Sequence, residues 1–223
     1  MPVPATEHLS FAVPGAGDVS ALFVRPPDAR RLLVLAHGAG AGMTHPFLES
    51  LATELAALGV ATFRYQFPYW ESGTRRPDPP ALLSATVAAA VRSAAAAAPD
   101  LPLFAGGKSM GGRMTSQAAA EGLLDGVRGI IFVGFPLHPP KQPGTKRADH
   151  LARVTVPMLF LQGTRDELAE LELLRPICDR LGARATLHVI DGADHSFHVL
   201  KRSGRTHAEV MRELAQTIAT FDS

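Results

Sequence analysis

The sequence predicts an α/β fold, a mostly parallel central sheet with helices on both faces. Strand-length apolar runs alternate with helix-length segments along most of the 223 residues. Several of the runs are continuous rather than alternating, the pattern of strands buried on both faces. The glycines, prolines and acids fall between the runs, where turns and helix starts belong. Repeated strand–helix units of this kind build a layered sandwich.

Leu9–Val13 and Val19–Val24 flank the turn Pro14-Gly-Ala-Gly-Asp18 and read as an antiparallel opening hairpin. Strands are then expected at Leu32–Ala36, Val60–Phe63, Leu101–Ala105, Gly129–Val133, Pro157–Leu161 and Thr186–Ile190. Helices are expected at Pro46–Leu58, Pro79–Ala98, Met110–Glu121, Glu167–Leu181 and Arg205–Phe221. The segment Ala85–Ala98 is nearly all alanine, the best helix former. With a narrow apolar stripe of Leu82, Leu83, Val87 and Val91, it reads as a surface helix. The connection from Phe135 to Arg153 is short and Pro-rich, too small for an inserted cap domain, so any site beside it should be open. The length suits one domain over residues 1–223.

Composition excludes several classes. Lys and Arg total 22 against 21 Asp and Glu, a formal net charge of +1, so no basic excess is available to hold nucleic acid. The N-terminal Met1–His8 lacks the basic start and apolar core of a signal peptide, and no apolar run approaches membrane-spanning length. A soluble, cytoplasmic protein with no membrane partner is expected. The single cysteine, Cys178, lies in a helical pattern and reads as a packing residue.

The most informative stretch is Gly107-Lys108-Ser109-Met110-Gly111, a G-x-S-x-G pattern between the strand run Leu101–Ala105 and a helix opening at Met110. In that context it is the nucleophile elbow of an α/β-hydrolase: the turn is so sharp that side chains two residues either side of the serine would collide. Gly106-Gly107-Lys108-Ser109 also imitates the end of a phosphate-binding loop, but Pro102 occupies the place where that loop needs a glycine. A serine nucleophile needs an imidazole to take its proton and a carboxylate to orient the imidazole. This fold supplies them in the order Ser, Asp or Glu, His, from successive strand exits. Gln162-Gly-Thr-Arg-Asp166 follows one strand and Asp191-Gly-Ala-Asp194-His195 the next, so Ser109, Asp166 and His195 are the catalytic candidates.

Rivals exist. Asp166 could instead N-cap the helix expected from Glu167, Asp194 competes as the orienting acid, and His198 competes with His195. Asp191, Asp194, His195 and His198 also suggest a metal cluster, but without helical His-x-x-x-His or cysteine ligands no metal or cofactor is expected. Of the other histidines, His188 falls within a strand and His37 in the loop after the first parallel strand. His8, His45, His138, His150 and His207 fall on surface or loop positions. The oxyanion hole would use the Met110 N–H and one from His37-Gly-Ala-Gly-Ala-Gly42, with Ala39 as second donor or Gly40 as the alternative. Phe67, Tyr69 and Trp70 could line one wall of the substrate site or pack as a satellite cluster.

His37-Gly-Ala-Gly, Gly107-Lys-Ser-Met-Gly-Gly-Arg113, Gly163-Thr-Arg-Asp166 and Gly192-Ala-Asp-His195 together resemble the small, cap-less α/β-hydrolases related to dienelactone hydrolases. The likeness is closest to the predicted hydrolases that share a domain with a testis-expressed protein and with a chromatin acetyltransferase complex subunit. Phe63-Arg-Tyr-Gln-Phe-Pro-Tyr69 followed by Arg75-Arg-Pro-Asp78 is similar to an aromatic loop and basic cluster of that group. The resemblance implies a hydrolase acting on a small-molecule ester, thioester or amide, or alternatively a non-catalytic interaction domain that keeps the fold. Dienelactone hydrolases proper use a cysteine nucleophile where this chain has Ser109, so lactone specificity does not carry over.

Overall fold

The computed structural model describes residues 4–222; Met1–Val3, the start of the N-terminal segment read above, and Ser223 lie outside it. The chain forms one eight-stranded sheet in the order β1-β2-β4-β3-β5-β6-β7-β8. β1 (Thr6–Val13) and β2 (Gly17–Val24) form the antiparallel hairpin, and β2 pairs antiparallel with β4 (Val60–Tyr65). From β4 onward the ladder is parallel through β3 (Arg31–Ala36), β5 (Leu103–Lys108), β6 (Val127–Val133), β7 (Met158–Gly163) and β8 (Ala185–Ile190).

Helices cover both faces because the central strands are apolar on both. Leu33, Leu35, Phe104, Ile131 and Leu161 face α1 (Pro46–Ala56) and α6 (His207–Thr220). Leu32, Val34, Ala105, Phe132 and Phe160 face α3 (Pro80–Ala97), α4 (Met110–Ala120) and α5 (Leu171–Leu181). Local chemistry sets the helix starts: Pro46 occupies the first turn of α1, and Thr206 and Glu209 form a reciprocal capping box on α6. The parallel register places Ala36 beside Gly107, Lys108 beside Val133 and Gly163 beside Ile190. The loops leaving β3, β5, β6, β7 and β8 therefore emerge at one edge of the sheet.

Some boundaries move. β5 runs to Lys108 rather than stopping at Ala105, because Gly106 and Gly107 continue the ladder; a Cβ on Gly106 would lie 2.1 Å from the Ile131 carbonyl oxygen. α5 starts at Leu171, since residues 166–170 form a turn in which Asp166 Oδ1 accepts from Leu168 N at 2.8 Å. A short helix α2 (Pro68–Glu71) and a 3-10 segment over Lys146–Arg153 lie in connections read as loops. No cap domain is inserted: that segment, packed on α4, is the regular structure between β6 and β7.

The alanine-rich helix is the clearest correction. Its buried face is broad, with Leu83, Val87, Ala90, Val91 and Ala94 almost wholly enclosed along with Ser84 and Thr86, while Leu82 is only partly buried. Small side chains let α3 approach β1, β3 and α4 closely. At 18 residues with mean hydropathy 1.3, it is also long and apolar enough to cross a membrane by length and composition, contrary to the expectation that no run is; half of it is buried against the protein. Ala90→Leu should therefore overpack the helix–sheet contact and cost roughly 1–3 kcal/mol, while Ala96→Leu on the exposed side should stay within about 0.5 kcal/mol. Urea unfolding of the two variants would contradict this packing if both behaved alike.

Candidate active site

Ser109 holds φ 53° and ψ −118°, a conformation rare for a residue with a side chain, and its N–H is anchored on the Val133 carbonyl at 3.1 Å. The glycines make it possible. A Cβ at Gly107 would lie 2.6 Å from the Ala36 carbonyl oxygen and 2.8 Å from the Gly111 carbon; one at Gly111 would lie 2.6 Å from the Ala36 and His37 oxygens. The collision argued from the pentapeptide is thus a real packing of β5, α4 and the β3 exit.

The structure brings all three catalytic candidates into one hydrogen-bonded chain. His195 Nε2 lies 2.9 Å from Ser109 Oγ, and His195 Nδ1 lies 2.7 Å from Asp166 Oδ2. The Asp166 carboxylate is fully buried, whereas the imidazole is about one quarter exposed. Gln162, which the sequence reading passed over, donates from Nε2 to the same Asp166 oxygen at 2.5 Å while its Oε1 accepts from Phe135 N at 3.0 Å. A fully buried amide at the end of an apolar strand was the available signal. Asp194 behaves differently: its Oδ1 accepts from the backbone N–H of Ser196 and of His198, both at 2.9 Å, shaping its own turn. Gly163 lets the two loops meet, since a Cβ there would lie 2.2 Å from the Ala193 oxygen that accepts from Arg165 N.

Lys108, beside the serine, places its ammonium over the rings of Phe197 and Phe47, 5.6 and 6.0 Å from their centroids. Burial pushes this amine down to about 8, against the attraction of Asp166 and Asp194.

Neither proposed oxyanion donor, the N–H of Ala39 or of Met110, donates to another protein group among the described residues. The loop carrying Ala39 is held through its carbonyls, with the Tyr69 hydroxyl donating to Ala39 O at 3.0 Å. His37 fixes it from beneath. Its Nδ1 bonds Gly38 O at 2.8 Å and its Nε2 accepts from Phe67 N at 3.1 Å, which assigns the proton to Nδ1. Burial pulls this imidazole down to about 4 despite the Gly38 carbonyl.

Of the two readings left open for the aromatic loop, the packing favours the cluster. Phe67 and Tyr69 are buried and packed around His37 as a cluster, behind the loop that carries Gly38 and Ala39. Only Trp70 is partly exposed; it packs on Gly42, where a Cβ would lie 2.4 Å from the indole nitrogen, and carries the Arg75 guanidinium 4.9 Å over its ring.

Two other histidines differ from their reading as surface or loop residues. His138 is buried, bonded to the Pro139 carbonyl and the Glu170 carboxylate, which raise its pKa despite the cost of burial. His150 Nε2 lies 2.8 Å from Ser116 Oγ, but that hydroxyl donates to Arg113 O at 2.9 Å and no carboxylate orients the ring, so this second Ser–His pair is a packing contact. His198 is exposed, near His207 rather than the serine. Cys178 is buried on α5, and burial raises its thiol to about 11.

A parallel sheet with its nucleophile candidate on a strained strand–helix turn, and acid and histidine on the next exits, defines the α/β-hydrolase class. The chain belongs to the alpha/beta hydrolase domain family, whose model matches residues 29–223. Among solved structures it is similar to a dienelactone hydrolase from Anabaena variabilis ATCC 29413, at 21% identity over 98% of this chain and 96% of that one, with a TM-score of 0.78. It is also similar to an α/β serine hydrolase homologue from Coxiella burnetii, at 21% identity over 98% of this chain and 100% of that one, with a TM-score of 0.77. A third is an α/β serine hydrolase without lid from Xanthomonas campestris, at 18% identity over 100% and 99%, with a TM-score of 0.73. At these identities the likeness is one of fold.

The depressed pKa of His37 has a stability consequence. The folded state takes up this proton only near pH 4 and the unfolded chain near 6.5, so stability rises with pH across that window and is complete above about 6.5. The full shift corresponds to at most roughly 3 kcal/mol. His37→Gln, which keeps an acceptor for Phe67 N, should unfold in urea with a smaller loss between pH 7 and pH 5 than the parent chain. An unchanged loss would remove His37 as the cause.

Proposed function

We propose that the chain is a soluble serine hydrolase that cleaves a small ester, thioester or amide through an acyl-enzyme. The observation that carries this reading is the continuous chain Ser109 Oγ, His195, Asp166 at 2.9 and 2.7 Å, ending on a fully buried carboxylate. His195 Nε2 takes the Ser109 proton as the hydroxyl attacks the carbonyl carbon, Asp166 holds the Nδ1–H and stabilises the imidazolium, and the N–H groups of Met110 and Ala39 receive the oxyanion. His195 then passes the proton to the leaving group, and water repeats the sequence to release the acid. The likeness of the motifs to predicted cap-less hydrolases supports the same reading, as does the absence of an inserted cap over the site.

Hydrolysis of p-nitrophenyl butyrate tests it. Ser109→Ala should lose on the order of 10⁶ in turnover if the three residues act as a unit. Asp166→Asn should lose roughly 10⁴, and Asp194→Asn should retain most activity because its carboxylate shapes a turn. Full activity in Ser109→Ala with folding intact would remove Ser109 as the nucleophile, whereas a folded parent chain that cleaves no ester would support the alternative, a non-catalytic domain of this fold.

With Phe67 and Tyr69 buried, the only large aromatic left to bound an acyl chain is Trp70, which gives little apolar wall. Acetate and butyrate esters should be cleaved faster than decanoate. A rate that climbs with chain length would show an apolar channel that this reading lacks.

A further inference from the structure

The proposed triad leaves two cations near Ser109 without a use. Arg113 lies one turn into α4 and donates its backbone N–H to the Ser109 carbonyl at 3.1 Å. Helical side chains lean toward the N-terminus of their helix, so the Arg113 side chain covers the Ser109 end of α4. The 3-10 segment Lys146–Arg153 packs on that helix, pinned by the His150–Ser116 bond at 2.8 Å; Arg147 lies three residues before His150 as Arg113 lies three before Ser116, and its charge is felt at Arg113. Arg113 Nε is buried with no hydrogen-bond partner, and among the described residues no carboxylate pairs with Arg113 or Arg147.

Both arginines are partly buried residues. Burial lowers the Arg113 pKa, and the neighbouring Arg147 lowers it further; burial lowers that of Arg147 too. Arg147 also opposes the charging of His138, whose backbone N–H bonds Leu168 O, two residues beyond Asp166. The charge of Arg147 is thus felt both at Arg113 on α4 and at His138. Two adjacent, half-buried cations with no acid are unfavourable unless an anion joins them.

We propose that Arg113 and Arg147 form an oxyanion-binding subsite beside Ser109, filled by a phosphate monoester group of the substrate. Two uncompensated charges match the −1.5 to −2 that such a group carries near neutral pH, and the guanidinium fork donates two parallel bonds to its oxygens. The orphaned Arg113 Nε–H is the donor such a ligand would satisfy. The proposal rests on the serine-hydrolase reading for the place of the scissile bond; the anion site itself does not need it.

Isothermal titration of the intact chain with inorganic phosphate at constant ionic strength tests the subsite without turnover. Saturable binding of one phosphate is expected, weakened at least ten-fold in Arg113→Met and in Arg147→Met, with folding checked by thermal unfolding. Arg147 lies in the 3-10 segment rather than on α4, so its variant serves even if Arg113→Met fails to fold. In ester hydrolysis, phosphate should raise KM with little effect on kcat. Absence of saturable binding, or equal binding by the double variant, would overturn the subsite, and tighter binding of glutarate than of phosphate would overturn the phosphate assignment. A chain that binds phosphate in this way but cleaves no ester would reject the hydrolase reading and keep the subsite.

Discussion

The structure turns on the backbone of Ser109. A non-glycine residue at φ 53° and ψ −118° costs on the order of 1–3 kcal/mol, and it persists only because its surroundings over-determine it. The determination comes from contact rather than hydrogen bonding alone. Gly107 and Gly111 sit so close to the Ala36 and His37 carbonyls that any side chain would force β5 and α4 apart, and with them the turn between. The same closeness aims the hydroxyl at the sheet edge and leaves the first N–H of α4 without a protein partner. Strain, glycine packing and an open donor are one arrangement seen from three sides.

Parallel register supplies the rest. Because β5, β6, β7 and β8 are aligned, their exits converge, and Gly163 permits the final approach of the acid and histidine loops. Asp166 divides its carboxylate: one oxygen closes the turn at Leu168, the other meets His195 and Gln162. Asp166 does not N-cap α5, whose N-cap is Glu170; its Oδ1 closes the turn before that helix, leaving Oδ2 for the imidazole. The buried His37, neutral and wedged between the Gly38 carbonyl and the Phe67 N–H, gives the facing loop comparable rigidity.

Much of this was legible in the residues. Apolar runs located every strand because a doubly covered parallel sheet demands them, and G-x-S-x-G with two later strand exits picked out Ser109, Asp166 and His195, the three side chains that the structure brings into one hydrogen-bonded chain. What was missed depended on neighbours distant in sequence. Gly106 and Gly107 read as a turn, yet they continue β5, paired in parallel with Ile131 and Phe132 of β6. The alanines of α3 read as a surface run, yet small side chains are what close packing on a sheet requires. Phe67 and Tyr69 read equally as wall or cluster, and only the position of His37 decides for the cluster. Gln162 and the Arg113–Arg147 pair carry no local motif, since their meaning lies in which buried group each one faces.

The site's charge distribution is lopsided, with Lys108 next to the serine and Arg113 one turn into α4, while the nearby acids are already engaged in bonds to His195, His138 or their own turns. Such a field favours an alkoxide at Ser109 and an oxyanion in front of it. An activated serine reacts covalently with a fluorophosphonate, whereas an ordinary hydroxyl does not. Intact mass measurement after exposure to that reagent, followed by peptide mapping, tests the central claim most directly. The account requires a single adduct on Ser109 that is lost in His195→Ala and on unfolding. An unlabelled chain, or an adduct on Ser116 instead, would contradict it.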